Sequence, residues 1–247
     1  MCSSDLKNKL LEKTFAVLET IAASPEPVAI KTLAGKLRIP PSTLSRIAAD
    51  LTEAGYAAKV GYHSLEPALG LIRLGQNAVD SSPLPRRVNP LLRREAVKLG
   101  VDCAFAGIER GQLVYLYRTD VFSAAERYGL PCRVPLCRSN VALTILAATL
   151  PVDDACRELE RSAEESSGNI RFDPDTLREL VARTAAEGRL LRLEPHGRWN
   201  ICFPLWFEGK CYGISLFGDR AGKRNFDRLL FEAEQLTGRV RELLNPA

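Results

Sequence analysis

Apolar side chains at Leu10, Leu11, Phe15, Leu18, Ile21 and Ala22 recur at helical spacing and stop at Ser24-Pro25-Glu26-Pro27, a segment no helix interior holds. Val28 to Leu37 predicts a second, short helix with Ile30, Leu33, Ala34 and Leu37 on one side, followed by a tight connection at Arg38-Ile39-Pro40-Pro41. Pro41 suits a first helical position, where its missing N–H would have no partner in any case. A third helix therefore runs from Pro41 to Ala54 and ends at Gly55. In it Leu44, Ile47, Ala48 and Leu51 fall on one narrow arc and must pack on the first two helices, while the opposite arc holds Ser42, Ser45, Arg46 and Ala49, with Thr43 at its flank.

After Gly55 come two short extended pieces, Tyr56 to Val60 and His63 to Leu65, about the turn at Gly61-Tyr62. Helix, helix, turn, helix, hairpin is the order of a winged helix-turn-helix. The outer arc of the third helix is small and polar, so it can approach a duplex without steric conflict. Hydroxyls and the free N–H groups of a first helical turn bind phosphate, and a guanidinium reaches a phosphate or a guanine edge. The candidate DNA contacts are Ser42, Thr43, Ser45 and Arg46, with Lys59 on the hairpin.

Leu69, Ile72, Leu74 and Val79 predict a further helix, stopped by Ser81-Ser82-Pro83-Leu84-Pro85. The expected organisation is a winged helix-turn-helix over 1–68, a linker helix and loop over 69–85, and a second domain over 86–247. That domain opens with a helix from Pro90 to Gly100 and a hairpin of Val101 to Ile108 and Gln112 to Arg118. A helix from Ser139 to Leu150 follows, then two acidic, polar-faced helices at Asp153 to Ser166 and Pro174 to Gly188. A second hairpin, Trp199 to Pro204 and Cys211 to Phe217, precedes a last helix from Phe226 to Leu244. Antiparallel strands flanked by helices make the whole an α+β two-domain chain, not a doubly wound dinucleotide fold.

Composition narrows the picture only slightly. The 247 residues are 46% hydrophobic and 26% charged, as in a globular protein, and the formal charge of +4 is shared equally between the parts before and after Gly75. Any nucleic-acid argument must come from pattern, not from net charge. Seven cysteines, an odd number scattered over a long chain, read as free thiols in a reducing compartment. The longest nearly apolar stretch, Val141 to Leu150, is too short to span a bilayer, and a cytoplasmic location without membrane contact is expected.

The N-terminal pattern resembles that of IclR-type transcriptional regulators. The resemblance is carried by Leu33-Ala34, Ile39-Pro40-Pro41-Ser42-Thr43-Leu44-Ser45-Arg46, Leu51-Thr52-Glu53-Ala54-Gly55-Tyr56 and Gly70-Leu71-Ile72-Arg73-Leu74-Gly75. The hairpin is shorter than in the family pattern, and Glu66-Pro67 stands where the family often has Arg or Lys followed by Leu-Gly. More loosely, Val134-Pro135-Leu136 through Ala147 looks like the family's entry into the helix beside its effector pocket, and Ile201 to Gly218 like the hairpin that lines it. The resemblance implies a GAF-like effector-binding domain for a small carboxylate or aromatic acid, a palindromic operator in double-stranded DNA, and a homodimer or homotetramer. Four pocket positions depart from the family. Ala142-Leu143 replaces a Gly-Lys pair, Asn200 stands for a Cys, and of two serines Ser215 remains while Phe217 replaces the other.

Read physically, Ser139 and Asn140 at a helix start offer polar groups to an anion, and Asn200 and Ser215 add neutral hydrogen bonds, with Trp199, Phe217 or Tyr115 as apolar walls. Because strand neighbours alternate, Trp199 and Asn200 cannot both point inward. Ser139 reads equally well as a helix cap and Ser215 as an ordinary strand hydroxyl. No metal or cofactor is expected: Cys132 and Cys137 lack a second ligand pair, and His63 and His196 fall in different predicted domains. Glu158, Glu160, Glu164 and Glu165, interleaved with Arg157 and Arg161, form a solvated face. The leading reading is a sequence-specific regulator whose operator affinity responds to an organic effector, not an enzyme. Two alternatives stay open: a DNA-binding regulator with a ligand-free oligomerisation domain, and a cysteine-dependent hydrolase or transferase.

Overall fold

A computed structural model describes residues 3–119, 134–166, 172–219 and 223–245. Its contacts divide the chain into two compact units, Met1–Ser81 and Ser82–Ala247.

In the first unit α1 spans Ser3–Ala22, α2 Ile30–Leu37 and α3 Pro41–Glu53, followed by β2 at Ala57–Val60, β3 at Ser64–Pro67 and α4 at Leu69–Ser81. Val28–Ala29, expected as the start of a helix, instead forms a short strand β1 that pairs antiparallel with β3, Val28 opposite Leu65. The small sheet thus has three strands in the order β1-β3-β2. Ile21, Leu33, Leu44, Ile47 and Leu65 are its most completely buried large side chains; each contributes about 1.5–3 kcal/mol of transfer free energy. Arg38 closes α2 in the left-handed region, its N–H turned back to the carbonyls of Ala34 and Gly35. This tight turn sets α3 against α2.

The end of α3 and the start of α4 touch backbone to backbone. Gly70 N–H donates to the Gly55 carbonyl at 3.0 Å, and Gly55 itself has a φ of 75°. A Cβ on Gly70 would lie 2.3 Å from that oxygen. This contact ties α4 to the first unit.

The second unit carries a five-stranded antiparallel sheet in the order β5-β4-β8-β7-β6. Its strands are β4 Asp102–Glu109, β5 Gln112–Arg118, β6 Leu190–Leu193, β7 Trp199–Phe207 and β8 Lys210–Gly218. One face packs on α5 (Pro83–Leu99) and α9 (Lys223–Leu244), burying Phe105, Trp199, Ile201, Leu205, Ile214 and Leu216. The other is covered by α6 (Asn140–Thr149), α7 (Val152–Glu165) and α8 (Pro174–Glu187), over Ala104, Ala106, Tyr115 and Cys202. Residues 141–147 of α6 are all buried, which is why that helix shows almost no amphipathic pattern.

The expected loop over 81–85 and helix start at Pro90 are corrected here. Helix α5 begins at Pro83 and runs through Pro90. Pro83 and Pro85 lie in the first turn, where no intrahelical donor is needed, and Leu84, Val88, Leu92 and Ala96 continue one buried stripe across the proline. Arg86 and Pro90 lie on the exposed side, so water replaces the hydrogen bond that Pro90 forfeits.

Candidate functional site

Two separate groups of side chains qualify, one in each unit. In the first, the exposed arc of α3 has the predicted membership. Ser42, Ser45 and Arg46 are exposed, Thr43 is half-buried, and Leu44, Ile47, Ala48 and Leu51 are buried beneath them. Pro40 supplies no side-chain cap and Pro41 occupies the first turn, so the N–H groups of that turn face outward with the positive end of the helix dipole. Arg46 makes no hydrogen bond or ion pair among the described residues. Lys31, Lys36 and Arg38 are exposed on α2 and its turn, and Lys59 on β2, while Asp50 and Glu53 stand at the far end of α3. Lys36 and Arg38 thus immediately precede the end of α3 that carries the small hydroxyl side chains, and the carboxylates of α3 stand at its other end.

In the second unit the strand register sorts the expected pocket residues. Trp199 points to the α5–α9 face, where it packs edge-on against Phe226. Asn200, Cys202, Ser215 and Phe217 point to the α6 face. Ser215 Oγ donates to Asn200 Oδ1 at 2.9 Å, and Cys202 Sγ lies 2.8 Å from the same oxygen. Asn140 belongs to the same neighbourhood: Arg192 Nη1 donates to Asn140 Oδ1 at 3.1 Å, and Arg192 sits opposite Asn200 across β6 and β7. Ser139, by contrast, is buried and spends its hydroxyl on the N–H of Ala142, 3.2 Å away, as the cap of α6.

Two arginines that sequence reasoning passed over frame this cluster. Arg192 lies on β6, a four-residue strand whose Leu190-Leu191-Arg192-Leu193 sequence has no alternation to reveal it. Arg118 lies on β5, opposite Ala104, which pairs in turn with Ser215. Its guanidinium carbon is 5.0 Å from the Tyr115 ring centroid and 5.2 Å from that of Phe217, and its Nη1 donates to the Tyr115 hydroxyl at 2.9 Å. Two cations, two carboxamides, a hydroxyl and two aromatic rings between one face of a sheet and the start of α6 are the ingredients that orient a small aromatic or aliphatic carboxylate.

Four of the seven thiols are shifted away from nucleophilic chemistry. Desolvation pushes Cys103 and Cys202 up to about 12 and Cys211 up to about 11, and Cys156 is raised by the same cause. A reactive cysteine needs the opposite shift. His196 sits exposed in a turn, 2.8 Å from Glu194. Among the described residues no group of His, Cys, Asp or Glu could hold a metal ion, and no helix is long and apolar enough to cross a membrane. Cys132 lies outside the described residues. A further groove of about 780 Å³ opens at the hairpin end of the sheet, lined by Leu116, Leu136, Ile145, Leu146 and Phe207. None of the expected pocket residues lines it.

Comparison with known proteins agrees with both halves of the fold. Residues 10–61 match the IclR helix-turn-helix domain. An IclR family transcriptional regulator from Brucella abortus superposes with a TM-score of 0.74 at 19% identity, over 96% of this chain and 92% of that one. An IclR homolog from Microbacterium hydrocarbonoxydans, crystallised with 4-hydroxybenzoate, gives 0.67 at 18% identity, covering 96% and 100%. An IclR transcriptional regulator from Alicyclobacillus acidocaldarius gives 0.71 at 13%, covering 96% and 99%. No curated protein matches the sequence significantly.

Proposed function

We propose that this chain, an IclR-type transcriptional regulator with a DNA-binding helix-turn-helix, reads a two-fold operator as a homodimer and releases or tightens its grip when a small carboxylate binds the second unit. The observation that carries the reading is the match of residues 10–61 to the IclR helix-turn-helix domain, joined to the exposed Ser42, Ser45 and Arg46 face of α3. Set in a major groove, α3 brings its hydroxyls to phosphate and Arg46 to a base edge.

A homodimer follows from what one copy lacks. A single recognition helix makes few base contacts, and two-fold pairing doubles them. The first unit also leaves apolar side chains in water, with Leu11 and Phe15 on α1 and Leu69, Ile72 and Leu74 on α4 all more than half exposed. Such rows mark an association surface, and a second copy of the same unit is the occupant we assign to it.

Replacing Arg46 by Ala should weaken binding to a duplex selected by the wild-type protein about 10- to 100-fold at fixed salt. Thermal unfolding and dimer mass should be unchanged. Equal affinity for both proteins would remove α3 as the reading element.

For the effector, the support is the grouping of Arg118, Arg192, Asn140, Asn200 and Ser215, together with a fold neighbour that holds 4-hydroxybenzoate. A ligand at about 100 times its Kd raises stability by about 2.7 kcal/mol. A thermal-shift screen of 4-hydroxybenzoate and simpler aromatic and aliphatic acids should therefore give at least one hit, and Arg192→Gln should abolish that shift without lowering the melting temperature of the free protein. A flat screen would favour the reading of the second unit as a ligand-free oligomerisation domain. Coupling to DNA requires that the hit bind free and DNA-bound protein with different affinity.

A further inference from the structure

The hairpin of the first unit presents one aromatic ring to solvent. Tyr62 is 95% exposed, more than any other large apolar side chain described. It stands at the tip, in the turn of Gly61, Tyr62 and His63 between β2 and β3, and the turn is anchored on every side. Val60 pairs with Ser64 across the hairpin, β3 is flanked by β1 as well as β2, and the His63 carbonyl accepts from Ile30 N–H at 2.8 Å. Gly61 adopts a φ of 59°, the left-handed conformation that lets the chain turn there. The ring meets only His63 among aromatic neighbours, tilted at a centroid distance of 6.4 Å. Lys59 is exposed on the same hairpin, Lys31 is exposed one residue beyond Ile30, and residues 57–65 contain no carboxylate. The tip is held by strand pairing and a backbone hydrogen bond, with exposed lysines on the flanking elements and an aromatic ring at its point.

We propose that Tyr62 is a wedge that enters the minor groove beside the segment read by α3 and opens a base step there. The inference rests on the reading of the first unit as a DNA-binding unit. A hairpin is two strands about 4.8 Å apart plus their side chains, too broad for a minor groove about 6 Å wide, whereas a single phenol ring enters edge-on. Electrostatic attraction of Lys31 and Lys59 to the two flanking phosphate rows seats the tip. Once inside, an aromatic face gains by stacking on a base, and apolar wedges of this kind unstack a step and kink the duplex. The kink selects sequence without base hydrogen bonds. Flexible pyrimidine–purine steps should therefore recur at a fixed distance from each half-site.

The test uses the full-length chain. Wild-type protein enriches duplexes from a random-sequence library, and an enriched duplex, labelled in turn with 2-aminopurine at each position flanking the half-sites, becomes the probe. We expect a rise in fluorescence at one step per half-site with wild type and none with Tyr62→Ala, together with a smaller bend by circular-permutation mobility. Affinity should fall about 10-fold or more for Tyr62→Ala and stay within about twofold for Tyr62→Phe, because the ring and not the hydroxyl makes the contact. An equal loss in both variants would make a hydroxyl–phosphate bond the contact and overturn the wedge. Unchanged fluorescence and bend in Tyr62→Ala would overturn it as well. Failure of the wild-type protein to enrich any duplex would instead overturn the DNA-binding reading beneath it.

Discussion

Replacement of Glu95 by Ala is expected to lower the stability of the second unit by about 3 kcal/mol. Glu95 lies on α5 with 3% of its surface exposed, and Arg239 of α9 approaches its two carboxylate oxygens at 3.0 Å each. Arg94 and Lys98 add contacts at 3.2 and 3.7 Å. The hydrogen bond from Arg239, opposed by burial and assisted by Arg94, holds the carboxyl down at about 2 against an ordinary 4.5. A shift of that size is worth about 3 kcal/mol of linkage, so the two routes to the magnitude agree. The sign follows from the lowered folded-state value. The contribution is complete above about pH 4.5, shrinks as protons bind the unfolded chain first, and is gone below about pH 2. Chemical denaturation of wild type and Glu95→Gln as a function of pH checks this: the two curves should lie apart at pH 7 and converge at the acid end. Parallel curves would mean that the carboxylate is not what joins α5 to α9.

Gly70→Ala should cost the first unit about 1–3 kcal/mol and loosen α4. The added methyl would stand 2.3 Å from the Gly55 carbonyl oxygen and 2.9 Å from its carbon, both backbone atoms that no rotamer change can move. Either α4 swings away or the turn after α3 is pushed back; both lose the hydrogen bond from Gly70 N–H. Amide exchange should rise over 69–74 and at the end of α3. Gly55→Ala is an instructive control, since its Cβ meets nothing but its φ of 75° strains any L side chain. It should lower stability without releasing α4.

The first unit was the more legible half because its pattern is local. Leu44, Ile47, Ala48 and Leu51 repeat at one helical period against a contrasting polar arc, and Pro41 and Gly55 punctuate the ends. What escaped was β1, two residues long and specified only by its pairing with β3. In the second unit, the prolines at 83 and 85 read as loop and Pro90 as a helix start because each opposes a helix interior locally, yet the buried stripe on Leu84, Val88 and Leu92 outweighs them. The polar cluster on the α6 face was half legible. Asn200 and Ser215 lie on predicted strands, and alternation correctly forbade Trp199 and Asn200 from sharing a face. Arg192 and Arg118 gave no signal, since nothing in a linear sequence says that β6 and β5, at opposite edges of the sheet, bring their guanidinium groups to the same side as Asn200.

The strand order of the larger sheet also sets a timetable for synthesis. Asp102–Gly107 of β4 pair with Tyr212–Phe217 of β8, so the centre of the sheet joins an early segment to a late one. On the ribosome β4 has only its hairpin partner β5 until residues 210–218 emerge, and helices α6 to α8 wait meanwhile with only that hairpin as a floor. The first unit, whose farthest strand pairing is Val28 with Leu65, is complete long before. Nascent chains therefore acquire a finished N-terminal unit while the remainder still exposes apolar surface to chaperones.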